Sequence, residues 1–156
     1  MEPDPGDLGA KIRAASEYDG WGYARMVDTS DEANPTEVGQ FFLPEQIDQA
    51  FASGFGDLTV HEVEVPRNDP NEGGLPATRD DTDKLAYFSW YSGGLRVVDI
   101  TDPANPEEVG HYIDELGNDF WGVALAEDAS GNRIILASDM DYGLFIFRYT
   151  GAIPTP

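Results

Sequence analysis

Two histidines, three tryptophans and a large surplus of carboxylates are the residues that could do chemistry in this chain. His61 stands in an alternating run, LTVHEVEV, with no second histidine near it, whereas an imidazole metal centre wants partners. It reads first as a hydrogen-bonded inner-strand residue, and His111 as an exposed one. Asp139-Met140-Asp141-Tyr142-Gly143 opens like a calcium loop but lacks the distal bidentate glutamate, and Asp80-Asp81-Thr82-Asp83 is a similar fragment. Oxygen-rich sets suit Ca²⁺ better than zinc, so Asp139 and Asp141 are the candidate metal ligands and Ca²⁺ the cofactor to test. Asp28, Asp31, Asp99 and Asp102 read as turn caps, since aspartate hydrogen-bonds the backbone one or two residues on. Gly-x-Ser-x-Gly, a phosphate-binding loop and a Cys/His dyad are all absent from the sequence.

The elements that must position these groups are announced by a repeat. Ser92 to Tyr112, SGGLRVVDITDPANPEEVGHY, predicts a strand at Leu95 to Ile100, a turn through Asp102, Pro103, Asn105 and Pro106, and a second strand at Glu108 to Ile113. The stretch beginning WGYARMVDTSDEANPTEVGQF carries the same pattern 71 residues earlier without a gap: Val27 answers Val98, Asn34-Pro35 answers Asn105-Pro106, and Val38-Gly39 answers Val109-Gly110. A shorter match aligns Lys11 to Glu17, Lys84 to Trp90 and Arg133 to Asp139, each followed by glycine and an apolar strand. Three copies of one small antiparallel sheet are predicted.

In chain order, residues 1–10 read as an acidic arm without structure of its own, and 11–43 as a first unit of three strands (Lys11 to Ala15, Tyr23 to Val27, Glu37 to Leu43). Pro44 at a first helical position and Gly54 as a cap predict a short helical connection over 44–54. The second unit, 58–113, has four strands and begins with Leu58 to Val65. It is interrupted by a turn-rich insertion at 66–83 of a length usually functional or unstructured. The third unit, 121–150, has three strands, and 151–156 is a frayed tail. The first unit thus lacks its inner strand and the third its outer one.

Composition sets the outer bounds. With 156 residues, one domain with a real core is expected. Thirty acidic against nine basic residues give a net charge of −21, which repels phosphate backbones and anionic lipid, so nucleic acid is not an expected partner. Lysine occurs only at positions 11 and 84, a skew that suits a salt-adapted, heavily hydrated surface better than wholesale cation binding. No apolar run reaches membrane-spanning length, no signal peptide is visible, and the absence of cysteine excludes disulfides.

Gly94-Leu95-Arg96-Val97-Val98-Asp99-Ile100, Asp102 to Pro106 and Val109-Gly110 resemble the signature of the LVIVD-repeat β-propellers. The earlier copy, Arg25 to Gly39, is degenerate, with Glu32 where proline is expected. The later one keeps Gly143-Leu144 and then departs at Phe147-Arg148. The resemblance implies an all-β fold of four-stranded blades, here about three, the first and last incomplete. Propellers close with about four to eight blades, so it also implies either the rest of a longer propeller or self-association. It implies a secreted or cell-surface setting and no particular reaction.

In a propeller, the turns between the second and third strands of each blade share a face with the connections entering each first strand. That rim would gather Glu17, Asp19 and Trp21 from the first unit; His61, Trp90 and Tyr91 from the second; and Asp119, Trp121, Asp139, Asp141 and Tyr142 from the third. Acids and aromatics together suit a cation or a carbohydrate. Packing between blades is the competing reading for Trp90 and Trp121. The expectation is a non-enzymatic module that binds a small ligand or a protein. The alternatives are a Ca²⁺-dependent, lactonase-like hydrolase with rim acids on the metal and His61 as base, and an architectural module joined through its end strands.

Overall fold

A computed structural model describes residues 22–47, 58–66 and 84–152. Among them, nine strands form three antiparallel sheets, each with its strands in chain order and none closed on itself. The first sheet pairs β1 (Ala24–Asp28) with β2 (Thr36–Phe41), and α1 (Pro44–Ile47) follows. The second is β3 (Glu62–Glu64), β4 (Leu85–Ser89), β5 (Leu95–Asp99) and β6 (Glu107–Tyr112). The third is β7 (Phe120–Glu127), β8 (Arg133–Asp139) and β9 (Gly143–Phe147). The fold is all-β, with the sheets of an incomplete propeller. The strand expected at Lys11 to Ala15, the end of the helical connection and most of the 66–83 insertion lie outside the described residues.

The 71-residue repeat holds at the level of atoms. In the β5–β6 hairpin, Asp99 accepts from the Thr101 amide, and Asp102 accepts from the Ala104 amide and the Asn105 side chain. In the β1–β2 hairpin, Asp28 accepts from Ser30, and Asp31 from Ala33 and Asn34, in the same geometry. Both hairpins shift register at the same place, between Met26 and Val27 and between Val97 and Val98. Aspartates at fixed offsets thus build the turn, and the turn sets the register.

The strand expected over Leu58 to Val65 pairs only over Glu62–Glu64. Before it, the Val60 amide donates to Gly22 O, just ahead of β1, and the His61 amide to Ser89 O of β4, so this segment links the entry to the first sheet with the second.

The core lies in two layers on either face of the second sheet, because strict alternation in β4 and β5 sends neighbours to opposite sides. Leu85, Tyr87, Leu95 and Val97 pack with Phe120, Val123, Ile135 and Ala137 of the third sheet. Ala86, Phe88, Trp90 and Val98 pack with Ala24, Phe41 and Leu43. Both faces of β4 are therefore buried throughout, whereas β7 mixes buried, half-buried and exposed positions and β9 has only half-buried and exposed ones.

Candidate functional site

An aromatic cluster sits where the second and third sheets meet. His61 just before β3, Tyr91 in the β4–β5 turn and Trp121 in β7 come together. The His61 ring is 4.0 Å from Trp121 and 5.2 Å from Tyr91, and Tyr91 stands nearly perpendicular to Trp121 at 5.9 Å and 88°. Trp121 remains 48% exposed, so one face of the cluster is open.

Local structure aims each ring. Phe120 pairs with Asp139 and Gly122 with Ser138, which leaves Trp121 as the extra residue of a β-bulge and turns it outward. Tyr91 adopts φ 45°, an unusual value for a bulky side chain, held by a two-way backbone pair with Phe120 (3.0 and 3.1 Å). The buried Asn118 side chain donates to Tyr91 O at 2.8 Å and accepts from the Asp114 amide. Two further links cross the seam beneath the rings: Ser89 Oγ donates to Trp121 O at 2.7 Å, and Glu62 Oε2 accepts from the Val123 amide at 2.9 Å. The open aromatic face therefore rests on a hydrogen-bonded frame.

Of the expected rim residues, the structure joins His61, Tyr91 and Trp121. Glu17, Asp19 and Trp21, like the Asp80 to Asp83 run, lie outside the described residues. Trp90 is a correction: it is fully buried against Phe41 (5.6 Å) and Phe88 (5.9 Å), far from any rim role. The reason is parity, since Ala86, Phe88 and Trp90 share the β4 face that meets the first sheet. Its indole N–H has no hydrogen-bond partner among the described residues.

Asp139 is buried, and its carboxylate accepts from the amides of Asp119 (2.6 Å), Asp141 (2.9 Å) and Tyr142 (2.9 Å). It shapes the β8–β9 turn, on which Asp141 and Tyr142 stand exposed at the same end of the sheet as Trp121. Among the described residues no three His, Cys, Asp or Glu side chains converge as metal ligands, so the Asp139–Asp141 pair has no third member there.

A polar network of the second sheet was not anticipated. Arg96 is buried, donates from Nε to Gly93 O at 2.6 Å and pairs with Glu108 at 3.0 Å; Glu108 in turn meets His111 Nδ1 at 2.8 Å. It lies on a cleft of about 450 Å³ lined also by Phe41, Phe42, Pro44 and Ile113. The repeat carried the signal, because Arg25 and Glu37, the mates of Arg96 and Glu108, form the same pair at 3.3 Å.

Comparison with known proteins rests on the segment from β4 to β6. Residues 83–114 match the family model of the LVIVD repeat. No significant match is found among curated proteins or among solved structures.

Proposed function

We propose that this chain, which carries an LVIVD repeat within a β-propeller-type repeat module, is a non-enzymatic binding module. Its ligand rim is the His61–Tyr91–Trp121 cluster. The observation that carries the reading is the exposure of Trp121 beside a perpendicular tyrosine, on a frame of hydrogen bonds that fixes both rings. Two aromatic faces at right angles form the corner of a cage, and a cage of π faces attracts a cation. The net charge of −21 raises the local concentration of cations around the whole molecule. An organic cation, a quaternary ammonium group in particular, fits this rim better than an anion or a phosphate.

Fluorescence titration with tetramethylammonium tests the reading, with methyl glucoside in parallel as the carbohydrate probe. Saturable quenching by tetramethylammonium that is lost in Trp121→Ala and weakened in Tyr91→Ala is the expected result. Saturation by methyl glucoside alone would move the rim to carbohydrate, and linear, non-saturating responses to both would end the proposal.

A further inference from the structure

The three sheets stack with one polarity, and the repeat shows what each end face is made for. In the second sheet, Leu85, Tyr87, Leu95 and Val97 form the face that packs on the third sheet. Alignment of Gly94-Leu95 with Gly143-Leu144 and of Lys84 with Arg133 makes Ile134, Leu136, Leu144 and Ile146 their mates in the third sheet. Leu95 and Val97 are 2% and 4% exposed, whereas Leu144 and Ile146 are 62% and 63% exposed. The third sheet thus repeats an interface face that no described residue covers.

The other end tells the same story in reverse. Val98 and Arg96 of the second sheet are buried on the side of the first sheet. Their mates 71 residues earlier, Val27 and Arg25, are about half exposed on the outer side of the first sheet (47%, and 49% for the Arg25 side chain). One end face is therefore the leading half, and the other the trailing half, of the contact that already joins sheet to sheet twice within the chain.

We propose that these faces dock on each other between two copies of this chain. The third sheet of each copy packs on the first sheet of the other, and six sheets close a ring. A second copy covers both faces at once, with an interface type the chain already makes. Two copies of the three described sheets also fall within the four to eight blades with which propellers close. The contact is head-to-tail and ends in a closed pair rather than a filament. Each copy brings a charge of −21, so salt strengthens the pair by screening their repulsion.

Light scattering of the intact chain across a dilution series, in low and high salt, is the experiment. A discrete two-chain species, favoured by salt, is expected. Ile146→Asp and Val27→Asp, on opposite end faces, are each expected to weaken it about 30-fold or more while circular dichroism keeps its strand signal. Leu116→Asp, in the exposed β6–β7 turn outside both faces, leaves it unchanged. If Ile146→Asp loses its strand signal, Ile146→Thr replaces it, with a smaller shift in the same direction. A single-chain species in high salt overturns the proposal and assigns the faces to other sequences. Dissociation by Ile146→Asp but not by Val27→Asp overturns it in favour of two third sheets face to face. An open series of larger species shows a contact that does not close, and also overturns it. This readout is independent of ligand binding at the aromatic rim.

Discussion

The hairpins β1–β2 and β5–β6 are the same object in two settings. They share turn hydrogen bonds, register shift, an Arg–Glu pair and even the third member of that pair's network: Gln40 bonds Glu37 as His111 bonds Glu108. Yet the Arg25 side chain is 49% exposed and that of Arg96 only 5%. What is identical between them is encoded within about twenty residues; what differs comes from the sheets packed around each. Local chemistry fixes the hairpin, and its neighbours fix what the hairpin's side chains are worth.

The largest expected contrast follows directly. Arg96→Ala leaves the half-buried Glu108 only its contact with His111 and removes the donor to Gly93 O, which should cost about 2–4 kcal/mol of unfolding free energy. Arg25→Ala removes a pair open to solvent and should cost less than about 1 kcal/mol. Urea denaturation of both variants beside the parent chain measures the difference. Equal losses would mean that setting matters less than the pair itself, and the comparison would fail.

A smaller contrast tests how each hairpin's outer strand meets the next unit. At Gly39 a methyl group would run into the backbone carbonyl of Pro103, part of the following hairpin's turn. At Gly110 the nearest atoms are ring carbons of Tyr149, at 3.1 Å, and a side chain can yield where a backbone cannot. Gly39→Ala should cost about 1–3 kcal/mol and Gly110→Ala under about 1 kcal/mol. A reversed order in thermal unfolding would place the tight contact on the wrong hairpin.

The same division explains what could be read in the sequence. Asp-Pro-x-Asn-Pro and its degenerate copy spell out turns, and turns set strands, so the hairpins were legible to within a residue or two. The short reach of β3 was not, because Val60 and His61 spend their amides on Gly22 and Ser89, partners remote in sequence. The rim was half legible. His61, Tyr91 and Trp121 stood out as types, but the bulge that turns Trp121 outward depends on pairing with β8, and the parity that buries Trp90 depends on the first sheet being present. Arg96 and Glu108 carried a local signal in their repeat mates, whereas their burial is a property of the stack.

The smallest effect is one that should not differ between the hairpins at all. Asp31 and Asp102 each lie well out in solvent, and each is held below the ordinary carboxyl value of 3.8, first by the hydrogen bond from Asn34 or Asn105 and then by the amide of Ala33 or Ala104. These donors belong to the turn itself and favour the charged form. A carboxylate whose folded value is depressed adds stability that is fully present above the unfolded value and is lost as pH falls through the folded one. Both turns should therefore loosen together below pH 3.8, in a window set by the turn and not by the sheets behind it. Carboxyl NMR titration should give two midpoints below 3.8 that nearly coincide. Asn34→Ala should raise only the Asp31 midpoint, and Asn105→Ala only that of Asp102. If the buried hairpin's aspartate titrates apart from the exposed one's, packing reaches into the turn, and the separation of local from contextual chemistry drawn from these two hairpins does not hold.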